Sequence, residues 1–192
     1  MFNLVIFGPP GAGKGTQSDK IIEKYQLKHI STGDMFRAHI SDQTPLGKEV
    51  QGILDNGILV PDEITIRMLE GEMAKHTSVK GFILDGFPRT VPQAEALDQF
   101  LSSKNQKINL VLELVVSQSE IVLRIAERAK VSGRADDNAE KLIKRIDEYF
   151  TKTVHVLPYY ISQKKVSKVN GIGKIETIFK EITAVLDSSM AS

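Results

Sequence analysis

The sequence predicts an α/β fold with a parallel sheet that is covered by helices on both faces. Short apolar runs of β-type residues alternate along the chain with segments of helical periodicity. Several of these runs are apolar almost throughout, which is typical of strands covered on both faces. Helical segments between successive strands favour parallel crossover connections. The length of 192 residues suits a single domain with small attachments.

Five segments are predicted as strands because they are short, apolar and rich in β-branched residues. In chain order they are residues 3–7, 28–31, 81–85, 109–116 and 165–169. The second of them is the weakest, since only one of its four residues is apolar.

The helices are predicted from periodicity and from breaks in it. The first runs from Thr16 to Tyr25, a second from about Asn138 to Ile161 with Pro158 bending or ending it, and a last one follows the fifth strand. The last helix has one apolar face, formed by Ile175, Ile178, Phe179, Ile182, Val185 and Leu186. Residues 32–80 are predicted to form several short helices, and residues 128–137 form a polar stretch. Both stretches break the alternation of strands and helices. Both are predicted as attachments to the sheet, where function is often carried.

Composition excludes several classes of protein. A net charge of +1 does not indicate the excess of positive charge that is typical of proteins binding nucleic acid or an anionic membrane. The chain has no cysteine, so disulfides and cysteine-ligated zinc are excluded. The beginning MFNLVIFGPPG has no basic leader, and no apolar run approaches the length of a membrane span. We therefore expect a cytoplasmic protein.

A phosphate-binding loop is predicted between the first strand and the first helix. Residues Gly8 to Lys14 fit the pattern G-x-x-x-x-G-K in the strand–loop–helix context that this motif requires. Glycines let successive backbone N–H groups surround an anion, and the helix N-terminus adds its positive dipole end. Lys14 supplies a full charge for the outer phosphates. Gly15 stands where Ser or Thr is usual, and Thr16 follows it.

Further polar residues are expected at the same edge of the sheet. Asp85 ends an apolar strand, as in the Walker B arrangement that helps to hold Mg²⁺. Arginines recur near the polar loops, and their forked, permanently charged groups suit phosphate. They are Arg37, Arg89, Arg124, Arg128, Arg134 and Arg145. The four histidines have no metal-ligand spacing and are interpreted as structural or surface residues.

These motifs resemble those of the adenylate kinases, within the nucleoside monophosphate kinase family, over nearly the whole chain. The matching stretches are GPPGAGKGTQ, HISTGDMFR, NGILVPDE, GFILDGFPRTVPQAE, VSGRADDNAEKLIKRIDEYF and VNGIGKIETIF. Gly-Lys-Gly-Thr is usual in that family, which accounts for Gly15.

The resemblance implies a P-loop three-layer fold with a five-stranded parallel sheet, a helical insertion that binds the nucleoside monophosphate, and a lid. Within a single domain of residues 1–192, it implies a core of 1–30, 61–128 and 139–192. The monophosphate-binding part is 31–60, and the lid is 129–138. This lid is short and free of cysteine, as in the short-lid form, so zinc is not expected.

The resemblance also implies roles for individual residues. The catalytic residues are Lys14, Arg89, Arg128, Arg134 and Arg145. The ATP site is Gly11, Ala12, Gly13, Lys14, Gly15, Thr16, Arg124, Arg128 and Gly173. The AMP site is Thr32, Gly33, Arg37, Ile58, Leu59, Val60, Gly86, Phe87, Pro88, Arg89, Gln93, Arg134 and Arg145. Asp85 is implied to hold Mg²⁺ through water, with Asp34 as a second candidate.

The implied activity is reversible, Mg²⁺-dependent phosphoryl transfer from ATP to AMP, giving ADP, by a cytoplasmic monomer whose partners are these nucleotides alone. Thr32 and Gln93 favour AMP, since the uridylate/cytidylate kinases tend to carry Ala and Asn there. Two alternatives stay open from the residues. One is a kinase of UMP or CMP, and the other is a P-loop switch that binds nucleotide without transferring phosphate.

Overall fold

A five-stranded parallel sheet forms the centre of the computed structural model, which describes residues 1–129 and 139–191. Its strands are β1 Phe2–Phe7, β2 Lys28–Ser31, β3 Gly81–Asp85, β4 Leu110–Val115 and β5 Val166–Asn170. They lie in the order β2-β3-β1-β4-β5, and every neighbouring pair is parallel. The α/β fold and all five predicted strands are confirmed, each strand to within one residue at either end.

Helices connect the strands. They are α1 Lys14–Tyr25, α2 Thr32–Ser41, α3 Pro45–Asp55, α4 Asp62–Ala74, α5 Val91–Ser102, α6 Gln118–Ala129, α7 Ala139–Thr151, α8 Val156–Ser162 and α9 Ile175–Met190. The sequence sets several of their starts. Thr44 and Thr90 cap α3 and α5, because each hydroxyl accepts a hydrogen bond from a backbone N–H in the first turn.

The sheet is covered on both faces, as the apolar strands predict. Consecutive residues of a strand point to opposite faces. In β1, Leu4 packs in a cluster with Ile21 of α1, whereas Val5 packs in a second cluster with Leu97 of α5. Helices α1 and α9 thus lie over one face of the sheet, and α4, α5 and α8 lie over the other.

Two helix predictions need correction. The single helix expected up to Ile161 is wrong, because α7 ends at Thr151 and a 3₁₀ turn over Thr153–His155 separates it from α8. Pro158 is the third residue of α8, where its missing N–H would have no partner within the helix. Ile175, expected on the buried face of α9, is 49% exposed because it is the first residue of that helix.

The residues predicted to form an insertion build their own small core. Helices α2 and α3 and the following turn pack around Phe36, Val50 and Val60. This cluster is separate from the two that cover the sheet, and Ile64 and Met68 of α4 also pack against it. Across the described ranges, no helix combines the length and the apolar character that crossing a bilayer would require.

The sheet topology creates a crevice between β1 and β3. These strands are neighbours, with Ile6 of β1 opposite Asp85 of β3. The helices that follow them, α1 and α5, lie on opposite faces of the sheet. Chain segments that leave adjacent strands toward opposite faces open a crevice at the carboxyl ends, which is where α/β sheets bind their ligands.

Candidate active site

The predicted phosphate-binding loop lies in this crevice. It joins β1 to α1, and Gly11 and Gly13 have φ angles of 81° and 90°, which favour glycine. Among the described residues, no side chain caps α1 and none in its first turn is acidic. The N–H groups and the positive end of the helix dipole are therefore available to an anion. The Nζ of Lys14 donates to the carbonyl oxygens of Gly8 at 2.7 Å and Pro9 at 3.0 Å.

A cleft of about 720 Å³ opens above the loop. Its walls come from the loop and the start of α1, the start of α2, the turn before α4, the segment after β3, and helices α6 and α7. Several of the predicted cations line it: Lys14, Arg37, Arg89, Arg124 and Arg145. Five of these six segments, far apart in sequence, therefore each bring one cation to the same volume, as an anionic ligand requires.

The far side of the cleft is built around the carbonyl oxygen of Gly86. It accepts a hydrogen bond from Thr32 Oγ1 and another from Arg89 Nε, both at 2.8 Å. The first of these bonds ties the start of α2 to the segment after β3, and the second fixes the guanidinium plane of Arg89. Arg37 lies on the same side, one turn along α2, and forms an ion pair with Asp34. Two guanidinium groups thus line this end of the cleft.

Arg124 joins the phosphate-binding loop to the loop after β5. Its Nη2 donates to Gly171 O at 2.7 Å and its Nη1 to Ala12 O at 3.3 Å. Its Nε donates to Glu120 Oε1 at 2.7 Å, so a carboxylate one turn earlier in α6 also orients the group. Gly173 lies two residues beyond Gly171, in open space and with a φ of 129°.

Not every predicted residue lines the cleft. Ala12, Thr32, Val60 and Gln93 are buried, and Ile58 is 48% exposed. The residues that do line it are Gly11, Gly13, Lys14, Gly15, Thr16, Gly33, Asp34, Arg37, Leu59, Asp85, Gly86, Phe87, Pro88, Arg89, Arg124 and Arg145. Arg134 lies outside the described residues, and so does the side chain of Arg128.

Gln93 belongs to a buried network that includes one residue missed by the sequence analysis. Gln93 is 2% exposed, its Oε1 accepts from the backbone N–H of Arg89 at 2.8 Å, and its Nε2 donates to Asp62 Oδ1 at 2.8 Å. The other carboxylate oxygen of Asp62 accepts from Thr90 Oγ1 at 2.9 Å. Asp62 lies in the stretch NGILVPDE, which is one of the stretches that carry the resemblance. The resemblance did not indicate that Asp62 contacts Gln93.

Asp85 places a carboxylate at the carboxyl end of β3, within the cleft. Its side chain is 15% exposed, and its Oδ2 lies 4.0 Å from His29 Nε2. Thr16 brings a hydroxyl to the same cleft. Among the described residues, no three His, Cys, Asp or Glu are close enough to hold a metal ion by themselves. A carboxylate, a hydroxyl and substrate phosphates form an oxygen donor set that suits Mg²⁺, so the residues present fit this ion.

Tyr149 contributes a neutral hydrogen-bonding group to the wall formed by α7. Burial raises the pKa of its hydroxyl above the ordinary value, and the negative charge of Glu113 adds to the effect. The ring also packs against Phe7 at the end of β1, with 5.7 Å between ring centroids. A tyrosine hydroxyl is protonated at physiological pH even at its ordinary pKa, so this phenol brings no negative charge to the cleft.

Comparison with known proteins identifies the relatives of this chain. The family model described as adenylate kinase matches residues 6–165. An adenylate kinase of Flavobacterium psychrophilum is 49% identical over 189 residues, covering 98% of this chain and 100% of the relative. One of Bacteroides fragilis is 47% identical over 188 residues, with coverage of 98% and 100%. One of a Caulobacter species is 45% identical over 184 residues, with coverage of 96% and 97%.

Proposed function

The chain belongs to the adenylate kinase family and transfers a phosphoryl group from ATP to AMP, giving ADP, and we propose that the cleft described above is where the transfer occurs. The observation that carries this proposal is that one cleft is lined by Lys14 of the phosphate-binding loop on one side and by Arg37 and Arg89 on the other. Two phosphate-bearing ligands, ATP and AMP, can therefore meet with their phosphates between these groups.

The ATP side of the cleft is the loop and the start of α1. Backbone N–H groups from Gly11 to Thr16 bind the phosphates, and Lys14 exchanges its two loop carbonyls for the outer phosphate oxygens. Arg124 packs against the adenine, and Gly173 offers a backbone contact beside it. The bonds from Arg124 to Ala12 and Gly171 support this role, because they position its guanidinium between the two loops.

The AMP side of the cleft is the start of α2 and the segment after β3. Arg37 and Arg89 bind the phosphate of AMP, because planar guanidinium groups pair with phosphate through two parallel hydrogen bonds. The nucleoside is surrounded by Thr32, Gly33 and the segments 58–60 and 86–88. Gln93 recognises the base by hydrogen bonds to its edge. Since Gln93 is 2% exposed, a base reaches it only when the residues that cover it separate.

The chemistry follows from positioning and charge. A phosphate oxygen of AMP attacks the γ-phosphorus of ATP in line, and ADP leaves from the opposite side. The attacking oxygen is already anionic, so no general base is needed. Lys14, Arg89, Arg128, Arg134 and Arg145 stabilise the charge on the transferring group. Closure of the monophosphate-binding part (31–60) and the lid (129–138) over the core excludes water, which would otherwise hydrolyse ATP.

Mg²⁺ is part of this proposal. Asp85 would hold the ion through water, and Asp34 is the second candidate, although its ion pair with Arg37 competes for its carboxylate. When bound, the ion neutralises phosphate charge as the phosphoryl group moves. We also propose that the protein is a cytoplasmic monomer. One chain supplies both ends of the cleft, which supports the monomer.

The test of the proposal is ADP formation from ATP with each monophosphate in turn. We expect AMP to be the preferred acceptor, with UMP, CMP and GMP as controls. A two-substrate inhibitor that bridges both ends of the cleft should raise the melting temperature more than ATP alone, because ligands that bind only the folded state stabilise it. Equal stabilisation by ATP alone would point to a one-site nucleotide switch.

Gln93→Ala is expected to raise the KM for AMP about tenfold, the equivalent of one or two lost hydrogen bonds, with the KM for ATP unchanged. Initial-rate kinetics with each substrate varied in turn measure the effect. Gln99→Ala is the matched control, since Gln99 is an exposed residue of the same helix. An unchanged KM for AMP would rule out Gln93 as the residue that reads the base.

Asp85→Asn is expected to raise the Mg²⁺ concentration needed for half-maximal activity by about 10- to 100-fold, as for other residues that act on a metal through its ligands. The carboxylate attracts the hydrated ion, and an amide of the same shape does not. Activity is measured against Mg²⁺ at saturating ATP and AMP. Asp42→Asn, at an exposed position, is the control. If Asp85→Asn and the wild-type protein showed the same dependence of activity on Mg²⁺ concentration, Asp85 would be excluded from the metal site.

A further inference from the structure

The amide of Gln93 is held between two partners of opposite type. The backbone N–H of Arg89 can only donate, and it lies 2.8 Å from Oε1. The carboxylate of Asp62 can only accept, and its Oδ1 lies 2.8 Å from Nε2. Turning the amide over would place Nε2 against the N–H and Oε1 against the carboxylate, and both hydrogen bonds would be lost. The orientation of this amide is therefore set by its partners.

Asp62 is itself fixed in this role. Thr90 Oγ1 accepts from the backbone N–H of Gln93 at 3.3 Å, so its own proton is directed to Asp62 Oδ2 at 2.9 Å. Asp62 is also the first residue of α4, where the positive end of the helix dipole favours a carboxylate. Both oxygens of Asp62 thus accept from the α5 segment, and its position relative to Gln93 is determined from two sides.

These two partners use half of the hydrogen-bonding capacity of the amide. A primary amide has two N–H donors and two acceptor lone pairs, so one donor and one acceptor remain for a ligand. The orientation of the amide fixes which of its two ends offers the remaining donor and which offers the remaining acceptor. The edge of adenine carries an N6 donor beside an N1 acceptor, and the edge of guanine carries an O6 acceptor beside an N1 donor. An amide that cannot turn over matches only one of these two orders.

We propose that Asp62 is a positioning residue that locks the amide of Gln93 in one orientation and thereby selects AMP over GMP as the phosphoryl acceptor. The inference rests on the proposed function, in which Gln93 reads the base. Asp62 need not touch the nucleotide. It acts by excluding the reversed amide, which would pair with guanine as well as the present one pairs with adenine.

The test is the ratio of kcat/KM for AMP to kcat/KM for GMP in Asp62→Asn. The new amide has nearly the same shape, but Thr90 still donates to its oxygen, so its nitrogen faces Nε2 of Gln93. Two donors then oppose each other there, and only the backbone N–H of Arg89 still favours the present orientation of the Gln93 amide. We expect the ratio to fall about tenfold, the size of one hydrogen-bond mismatch. Asp62→Glu keeps a group that only accepts and should retain more of the ratio. Glu63→Gln changes an exposed carboxylate of the same helix and should leave the ratio unchanged.

A merely structural role for Asp62 would impair AMP and GMP alike and leave their ratio at the wild-type value, and that result would overturn the inference. If Asp62→Asn does not fold, as judged by its melting temperature, Asp62→Ala removes the same acceptor and carries the same expectation. Different results would contradict the proposed function itself. These are a wild-type protein without a preference for AMP, or a Gln93→Ala variant with an unchanged KM for AMP.

Discussion

Lys14→Ala is expected to lower kcat about 10²- to 10³-fold, the loss seen when one preorganised electrostatic group is removed from a transition state. In the structure, the ammonium group lies on the carbonyls of the phosphate-binding loop, 2.7 Å from Gly8 O. Gly8 lines the cleft, where water can replace its lost bond, so the free energy of unfolding should change by no more than about 1 kcal/mol. ADP formation in a coupled assay and a thermal melt measure the two effects.

Lys24→Ala is the matched control for this experiment. Lys24 lies on the same helix, its side chain is 45% exposed, and its Nζ is 3.6 Å from Asp187 on the surface. Its removal should leave kcat at the wild-type value. A Lys14→Ala variant that forms ADP at the wild-type rate would refute the role of this side chain, whereas loss of activity together with loss of folding would show a structural role.

Arg89→Ala is expected to lower kcat/KM for AMP about 100-fold, the equivalent of losing charged hydrogen bonds to a phosphate. The Nε of Arg89 donates to Gly86 O at 2.8 Å, which orients the guanidinium plane in the cleft before any ligand arrives. Lysine cannot reproduce this fork, so Arg89→Lys should recover only a small part of the loss. Initial rates with AMP varied at saturating ATP give the value.

The KM for ATP separates this role from a general defect in Arg89→Ala. We expect it to stay near the wild-type value, because Arg89 lies on the AMP side of the cleft. Arg67→Ala removes an exposed arginine of α4 outside the cleft, and it should have no effect on either substrate. Equal losses for ATP and AMP would instead indicate that Arg89 supports the whole cleft.

The parts of the site that are local in sequence could be predicted. The strand, glycine loop and helix around Lys14 are consecutive, and an apolar run ending in Asp85 identifies the end of β3. The near-continuous apolar runs are short and end at polar residues or glycine, which indicates where each strand begins and ends. The sequence therefore predicted the five strands to within a residue, and with them the edge of the sheet where the cleft lies.

Contacts between distant segments could not be predicted in the same way. Asp62 and Gln93 are 31 residues apart, and Arg124 and Gly171 are 47 apart. Nothing in local periodicity brings such pairs together, because their contacts depend on how helices pack over the sheet. The break after Thr151 is of the same kind, since the residues there carry no glycine or proline and the turn is set by tertiary packing.

The central claim is that two nucleotides meet head to head in one cleft, and a crystal structure with two adenosines bridged by a chain of phosphates tests it most directly. We predict one adenosine beside Arg124, the phosphate chain passing Lys14, and the second adenosine on the side of Arg37 and Arg89. Electron density for a single adenosine, or a second one outside the segments 32–37, 58–60 and 86–93, would contradict the claim.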